Sequence, residues 1–443
     1  MARWTHDQVQ AAAPDAASLT AARKLAHPGP WRETGCTDSL VWGQCQGSGK
    51  KPYQVSIDVL APAYRCSCPS RKFPCKHGLA LLMLWSDGVL DESGQVAEHA
   101  GEWAAGRAAK VAAQADREAR ADAPTAPVDE QARARRVAER LARMDAGVED
   151  LRLWLEDLVR GGLASARRQG HGWWDGAAAR LVDAQVPGLA ERVRRLGDLA
   201  ARPDWDETLL PEVGRLWTVT AAWLGRDALS PEEQAEVRVA VGWALPSAEV
   251  RDADSRPGPW TVLGAHRSDD GTLQSQRTWL RHGDGEVVQV LDFAGQGQSL
   301  AVPQLSGAVI DVEVARYPGL PPRRALFVDL PTSVGVAARA DAAESASTIA
   351  ALVAAAGESL AAAPWRTRVP ALLGAVRPAP ADADHRRWQL VDADGAAVPL
   401  VAGPELWSLV ALTGGRPADV FGEWGGHQFL PLTVWSDDGA VPL

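Results

Sequence analysis

The chain has 443 residues, with 46 Lys and Arg residues against 56 Asp and Glu residues and a formal net charge of −10. This acidic balance argues against a protein that wraps duplex DNA in a coat of basic charge, and the five cysteines are too few for a disulfide scaffold. The longest clear apolar run, Gly78–Trp85, is shorter than the roughly 18 residues that cross a bilayer, and the N-terminus lacks the apolar core of a secretory signal, so a cytoplasmic protein of several domains is expected.

The first part of the chain, residues 1–90, is predicted to form one compact unit that begins with short helices. Tyr53, Val55 and Ile57 alternate with polar residues, which is the period of a half-buried strand. The predicted strands, and the helix that follows them, are Leu40–Gln46, Tyr53–Leu60, Ala63–Ser67 and His77–Trp85. The last two strands read as a hairpin, so a small ββα module with its core at residues 53–86 is expected.

Residues 91–135 are rich in Ala and charged side chains and are predicted to be a linker or a loosely packed helix. A helical domain is predicted at residues 136–250. It opens with apolar residues at alternating spacings of four and three, which are Val137, Leu141, Met144, Val148, Leu151, Leu155 and Leu158. This stripe favours the packing face of a helical bundle over a dimeric coiled coil. The further predicted helices are Gly176–Ala184, Leu189–Ala201, Leu210–Leu224 and Pro231–Leu245, the last with a capping box at Ser230 and Glu233.

The apolar residues of 251–443 no longer recur with the period of a helix, and this region is predicted to be β-rich. The predicted strands are Trp260–Arg267, Arg277–His282, Val287–Phe293, Val309–Ala315 and Ala325–Asp329. One helix is expected around Ala342–Ala362, and Gly283-Asp284-Gly285 and Asp394-Gly395 indicate tight hairpins. The whole chain is therefore predicted to be a multi-domain α+β protein.

Potential soft-metal ligands are concentrated in twelve residues, in which Cys66 and Cys68 are separated by six residues from Cys75, and His77 follows. Three thiolates and one imidazole form a complete tetrahedral set for Zn²⁺. A C-x-C pair on an extended segment points both side chains to one face, and the first turn of a helix can present Cys75 and His77. Because all four positions are filled by protein, one structural zinc ion is predicted, with no open coordination position for catalysis.

Other interpretations of these cysteines are a disulfide, unliganded buried thiols and a redox switch. A reducing compartment and the strain of a bridge within C-x-C disfavour a disulfide. Iron is a weaker alternative to zinc for a closed set of three sulfurs and one nitrogen. Cys36 and Cys45 lie outside the motif and are predicted to be packed thiols.

The motif and its strand–strand–helix setting resemble the SWIM-type zinc finger of bacterial SWIM zinc finger family proteins. The similar runs are Trp42–Tyr53 and Cys66–His77, with a further familial stretch at Val182–Ala190. The resemblance implies zinc ligation by Cys66, Cys68, Cys75 and His77. It also implies a module that binds DNA or protein partners, and bacterial relatives of this kind are associated with AAA+ ATPases and von Willebrand A-type proteins.

Basic residues surround the motif, and Arg71, Lys72 and Lys76 within it are the candidate nucleic-acid contacts. Residues 1–90 carry 10 basic and 6 acidic residues, a sum of +4, so the remaining chain holds −14. A basic finger on an acidic body is typical of a nucleic-acid contact. The alternative is that these cations only balance the anionic zinc–thiolate centre and keep the loop soluble.

No catalytic signature is recognisable along the chain. Gly47-Ser48-Gly49-Lys50 lacks the first glycine and the final Ser or Thr of a phosphate-binding loop. We therefore expect a non-enzymatic binding protein that contacts nucleic acid or a protein partner through the zinc finger. The alternatives are a protein–protein adaptor that serves an AAA+ ATPase and von Willebrand A-type system, and an enzyme whose site lies in residues 251–443. No membrane partner is expected.

Overall fold

The structure is a computed structural model. It describes residues 16–47, 51–59, 63–70, 74–93, 95–106, 130–243, 245–269, 273–295, 304–339, 344–436 and 439–443, with Trp4, Val9, Ala13, Leu300 and Asp341. The chain divides into two compact units. The first comprises residues 1–123, 262–279 and 290–308, and the second comprises residues 124–261, 280–289 and 309–443. The four-part division expected from the sequence stays a prediction.

The first unit is built on a four-stranded antiparallel sheet, in the order β1-β2-β3-β4, and a helix that packs on it. Its elements in chain order are α1 (Ala16–Arg23), β1 (Trp31–Cys36), β2 (Leu40–Cys45), β3 (Tyr53–Asp58), β4 (Ala63–Cys66) and α2 (Lys76–Ser86). The predicted ββα module is confirmed as β3, β4 and α2. Strand β1 was not expected from the sequence, because Arg32, Glu33 and Gly35 break its apolar alternation.

The core of this unit lies between the sheet and α2. Leu79, Leu81 and Leu82 of the helix are fully buried against the sheet residues Val55 and Ile57. Gly43 of β2 lets the helix approach closely, because a Cβ at this position would lie 3.2 Å from the Leu81 side chain. The opposite face of the sheet is also covered. Residues 98–106, in the predicted linker, are helical (α3), and Ala100 is buried against Leu40 and Trp42.

The second unit begins with a bundle of helices. They are α4 (Glu130–Gly161), α5 (Leu163–Ala166), α6 (His171–Asp183), α7 (Pro187–Ala201), α8 (Trp205–Leu224), α9 (Pro231–Val241) and α10 (Ser247–Arg251). The predicted stripe on α4 is buried in the bundle core from Met144 to Leu158, whereas Val137 is 41% exposed. The bundle interpretation is thereby confirmed over the coiled coil.

Helix α9 starts with the predicted capping box, in which the Glu233 amide donates to the Ser230 hydroxyl and the Glu233 carboxylate accepts from the Ser230 amide. It ends at Val241 and not at the predicted Leu245. Gly242 stops it in the left-handed conformation at φ +92°, and a Cβ there would lie 2.4 Å from the Gly188 amide nitrogen. A glycine is therefore required at this helix end.

The β-rich half contains two sheets. The strands are β5 (Ser255–Arg256), β6 (Pro259–Asp269), β7 (Leu273–His282), β8 (Val287–Gly295), β9 (Ala308–Asp311), β10 (Val314–Arg316), β11 (Arg323–Phe327), β12 (Thr332–Val336), β13 (Val369–Pro380), β14 (Trp388–Val391), β15 (Ala397–Pro399), β16 (Ala418–Trp424), β17 (Phe429–Ser436) and β18 (Gly439–Pro442). Their orders are β12-β9-β6-β7-β8-β11-β10-β5 and β15-β14-β13-β16-β17-β18. The β-rich prediction is confirmed.

Several details of this half differ from expectation. The predicted strand Val309–Ala315 is two strands, β9 and β10, which pair with different neighbours. Among the described residues, two helices with defined bounds lie in this half, where one was predicted. They are α11 (Ile349–Ala362), which starts later than expected because Thr348 caps it, and α12 (Pro404–Thr413). Among the described residues, no helix combines the length and apolar character needed to cross a membrane.

A partly buried ion pair joins α9 to two loops within the second unit. The Arg366 guanidinium donates to both carboxylate oxygens of Glu236, with a shorter nitrogen–oxygen distance of 2.6 Å. The Leu320 amide donates to the same carboxylate at 3.1 Å, and Arg366 also donates to the carbonyls of Leu320 and Pro321. The side chains of Glu236 and Arg366 are 16% and 15% exposed.

A second charged network ties the strands of the eight-stranded sheet together. The Glu286 carboxylate accepts from three arginines, Arg256, Arg316 and Arg323, at 2.8–3.0 Å. Arg316 and Arg323 also donate to Asp254. Burial opposes ionisation of Glu286, but hydrogen bonds from Arg323, Arg256 and Arg316 outweigh it and lower the pKa of this carboxyl. The network is therefore maintained by an ionised Glu286.

Replacing Glu286 with Gln is expected to reduce the stability of the second unit at neutral pH by about 1–3 kcal/mol, because three charge-assisted hydrogen bonds weaken. A carboxyl whose folded-state pKa is lowered contributes stability above its ordinary pKa of about 4.3, and this contribution is lost as the pH falls below it. The variant should therefore lose less stability than the wild type when the pH is lowered from 7 towards 3. Thermal unfolding at several pH values measures this. Exposed Glu249→Gln is the matched control, and equal acid sensitivity in all three proteins would contradict the prediction.

Candidate metal centre

The structure brings the four predicted ligands together at one end of the sheet. Cys66 is the last residue of β4, opposite Val55 of β3, and the Ser67 amide extends this pairing by donating to the Gln54 carbonyl at 3.0 Å. The chain then returns so that Cys75 precedes the first turn of α2 and His77 lies within it. The four ligand atoms, from Cys66, Cys68, Cys75 and His77, all lie within 4.8 Å of one another.

The distances suit a tetrahedral ion. The Nδ1 atom of His77 lies 3.8 Å from the Cys66 sulfur and 3.9 Å from the Cys75 sulfur. Zinc bond lengths of about 2.3 Å to sulfur and 2.0–2.1 Å to nitrogen imply ligand–ligand separations of roughly 3.5–3.8 Å around a tetrahedron. Small side-chain adjustments would therefore close the cluster on one ion. Nδ1 is the His77 atom that would bind it, and the Tyr53 ring packs beside the imidazole with centroids 4.9 Å apart.

Backbone amides complete the surroundings of the sulfurs. The amide of Cys68 faces the Cys66 sulfur, the amide of Ser70 faces the Cys68 sulfur, and the amide of Gly78 faces the Cys75 sulfur, and each lowers the pKa of its thiol. Donors in this position stabilise thiolates and orient them around a metal. The spacing of the cysteines did not predict these contacts. Only the turn-forming Pro69 and Ser70 after Cys68 signalled that the chain reverses there.

The three thiols do not ionise equally. A hydrogen bond from Cys66 lowers the pKa of the Cys75 thiol to about 4, against the effect of burial and with help from His77. The same hydrogen bond raises the pKa of Cys66, and burial raises that of Cys68. Thiolates this close repel one another, so the negative charge concentrates on one of them. A divalent cation would remove this repulsion, and the donor set fits Zn²⁺. The cluster is compatible with one structural zinc ion.

The remaining two cysteines are packed, as predicted. Cys36 is 2% exposed, and its sulfur faces the Leu90 and Asp91 carbonyls at 3.8 and 3.6 Å. Cys45 is fully buried, and this burial raises the pKa of its thiol. All five cysteines are free thiols in the structure.

Exposed cations lie near the cluster. Lys76 is exposed at the first position of α2, between Cys75 and His77. Lys51 is exposed just before β3, at the same end of the sheet as Cys66. Arg65 is exposed on β4 but faces away from α2, because it alternates with Cys66. Arg71 and Lys72 lie outside the described residues. No ion pair among the described residues includes Lys51, Arg65 or Lys76.

The edge of the sheet contacts strands from much later in the chain, within the same unit. Burial raises the pKa of Tyr64 on β4, and the charge of Arg267 on β6 opposes this shift. Arg267 itself donates to Gln276 of β7 at 2.7 Å. The zinc finger residues therefore do not form a unit alone.

Two family models match the chain. The SWIM zinc finger model matches residues 53–85, and the model of a SWIM-associated four-helix bundle domain matches residues 139–241. No curated protein and no solved structure matches the chain significantly. The finger match ends within α2 and contains all four clustered ligands, and the bundle match covers most of α4 and all of α6 to α9. The chain therefore contains a SWIM zinc finger at residues 53–85 and a SWIM-associated four-helix bundle domain at residues 139–241.

Proposed function

We propose that this protein is a non-enzymatic binding protein of the cytoplasm whose zinc finger contacts the phosphate backbone of nucleic acids. The observation that carries the proposal is the position of Lys76. Lys76 is exposed, stands between the ligands Cys75 and His77 in the sequence at the positive end of α2, and makes no ion pair within the described part of the chain. Metal binding would fix the direction of this charge. A fixed cation at a helix N-terminus favours phosphate oxygens.

The charges near the cluster support a polyanion as the partner. Lys51 adds a second exposed cation at the same end of the sheet, and Arg71 and Lys72 belong to the loop between Cys68 and Cys75 in the sequence. The rest of the chain is acidic and would repel the same polyanion. We therefore expect modest affinity with strong dependence on salt.

The ligand set supports a structural role for the metal. Catalytic zinc sites keep one coordination position open for water or substrate, whereas Cys66, Cys68, Cys75 and His77 supply four protein ligands. In residues 251–443, the lowered pKa values of Asp284 and Glu286 are accounted for by ion pairing and hydrogen bonds, and do not require an active site. The alternative of an enzyme site in this half would need a pocket with its own perturbed groups.

Replacing Lys76 with Ala should weaken binding to DNA of any sequence and reduce the slope of log K against log salt concentration by roughly 1, because one phosphate contact is lost. Replacing Arg71, Lys72 and Lys76 together should reduce it by roughly 3. Titration of the full chain with a fluorescent oligonucleotide at several salt concentrations measures the slope.

The full chain is the appropriate protein for this experiment, because the finger shares its unit with residues 262–279 and 290–308. Lys24→Ala is the matched control, since Lys24 is an exposed lysine of the same unit that follows α1 and lies outside the cluster. If the wild type does not bind DNA or RNA at low salt, or if Lys24→Ala changes the slope as much as Lys76→Ala, the nucleic-acid proposal fails. The protein-adaptor alternative, an accessory of an AAA+ ATPase and von Willebrand A-type system, would then take its place, and affinity purification of the chain with such partners would test it.

A further inference from the structure

The helical bundle contains a surface trough that the zinc finger does not explain. It lies between α4 and α6 and encloses about 280 Å³. Its floor is apolar, with Leu151 and Trp154 from α4 and Leu181 from α6. The trough lies wholly within the second unit and within the residues matched by the bundle model.

The shape is elongated. The α4 residues that line the trough recur at one helix face from Arg143 to Trp154, and this separation of eleven residues corresponds to about 16 Å along the helix axis. Helix α4 packs closely at Gly147 against the C-terminal end of α6, because a Cβ at Gly147 would lie 2.3 Å from the side chain of Ala184, the residue after α6. Towards the other end, Trp154 packs against Trp173 and Trp174 at the start of α6, with centroids 5.0 and 5.8 Å apart. A trough between two helices accepts the side-chain ridge of a third.

The charges at the rim distinguish between classes of partner. Helix α4 contributes Arg143 and Asp150, and α6 contributes Arg180 and Asp183. All four are exposed, and none takes part in an ion pair in the part of the chain that the structure describes. Each wall therefore presents one cation and one anion, and their sum is zero. A polyanion gains nothing from such a rim, whereas a helix with charges of both signs can pair with all four groups.

We propose that this trough binds an amphipathic α-helix of a partner protein, which inserts apolar side chains over Leu151, Trp154 and Leu181 and pairs acidic and basic flanking residues with the rim. The volume accommodates one large anchor side chain, such as Leu or Trp. Trp173, which is 37% exposed and packs against Trp154, extends the contact surface. Tryptophan and arginine residues in this arrangement are typical of the sites that dominate binding energy in protein interfaces.

The test uses the full chain and a displayed library of helix-forming peptides of about 15 residues, enough to cover the trough. The peptides carry Leu or Trp at positions i, i+3 and i+7 and either Glu or Lys at the flanking positions. Selected peptides should lose affinity about tenfold or more for Ala146→Trp, which fills the trough from an exposed lining position. Ala142→Trp is the matched control, because Ala142 is exposed on the same helix but does not line the trough, and it should change affinity less than about twofold.

Two further measurements separate loss of binding from loss of folding and test the pairing with the rim charges. Circular dichroism melting establishes that both Trp variants are folded. When peptides are selected for binding to the Asp150→Lys variant, Glu should replace Lys at the peptide position that faces residue 150. The proposal is overturned if no peptide is selected, if selected peptides bind both Trp variants equally, or if a single-stranded oligonucleotide competes for the trough.

Discussion

Metal analysis of the purified protein is expected to give one zinc ion per chain, and this zinc should be lost on replacement of Cys75 with Ser. Cys75 is 3% exposed, and it supplies the one thiol of the cluster whose pKa is lowered. Its loss removes one of the four ligands, so that only Cys66, Cys68 and His77 remain to hold the ion. Apparent binding energies of structural zinc sites are about 10–16 kcal/mol near neutral pH, so this is the largest effect that we expect from any single substitution.

The control for Cys75→Ser is Cys36→Ser, a buried cysteine of the same unit outside the cluster, which should retain the zinc. Chelation of the wild type should expose residues 63–85 to proteases first and leave the bundle folded, because the bundle has its own core. A zinc ratio near one in Cys75→Ser, or near zero in the wild type, would show that the cluster is not the metal site. Global unfolding on chelation would show that the metal stabilises more than the finger.

Replacing Glu236 with Ala is expected to destabilise the second unit by about 2–4 kcal/mol. The substitution leaves the partly buried Arg366 guanidinium without its carboxylate and the Leu320 amide without its acceptor. An unpaired charge that is largely shielded from water costs more than the loss of an exposed ion pair. Urea unfolding monitored by circular dichroism measures the change in the midpoint concentration.

Glu232→Ala is the matched control for this substitution. Glu232 lies on the same helix, one turn earlier, and its side chain is exposed. We expect it to change stability by less than about 0.5 kcal/mol. The double variant Glu236→Gln with Arg366→Met should recover part of the loss, since no charge then remains buried. Equal effects of Glu232→Ala and Glu236→Ala would contradict the role assigned to the ion pair.

The metal cluster could be predicted because it is local in sequence. Twelve consecutive residues contain all four ligands, and the alternation along a strand and the first turn of a helix fix their directions. The bundle could also be predicted, because a helical period needs no knowledge of distant residues. The amides that face the sulfurs were not predictable, since they depend on the path of the turn after Cys68.

The second sheet was largely missed for physical reasons. Strand β13 contains Pro370, Pro378 and Pro380, which argue against a strand in sequence terms. It also has a bulge between Leu373 and Val376, where Ala375 takes a φ of 49° and its amide donates to the buried Asp419 at 2.8 Å. A side chain 44 residues away thus supports the irregular backbone, and no local pattern reveals such a contact. The trough between α4 and α6 was missed for the same reason, because it arises from the packing of two helices.

The first unit is built from segments that lie far apart in the sequence, and this has a consequence for synthesis of the protein. Residues 63–86 leave the ribosome together and can bind zinc at once, but the unit also needs residues 262–279 and 290–308. At roughly 5–20 residues per second, translation from residue 86 to residue 308 takes on the order of 10–40 s. Until residue 267 is translated, the Tyr64 edge of the nascent finger lacks its Arg267 neighbour, while the whole bundle has already been synthesised. The order of translation therefore allows metal capture well before the finger's own unit is complete.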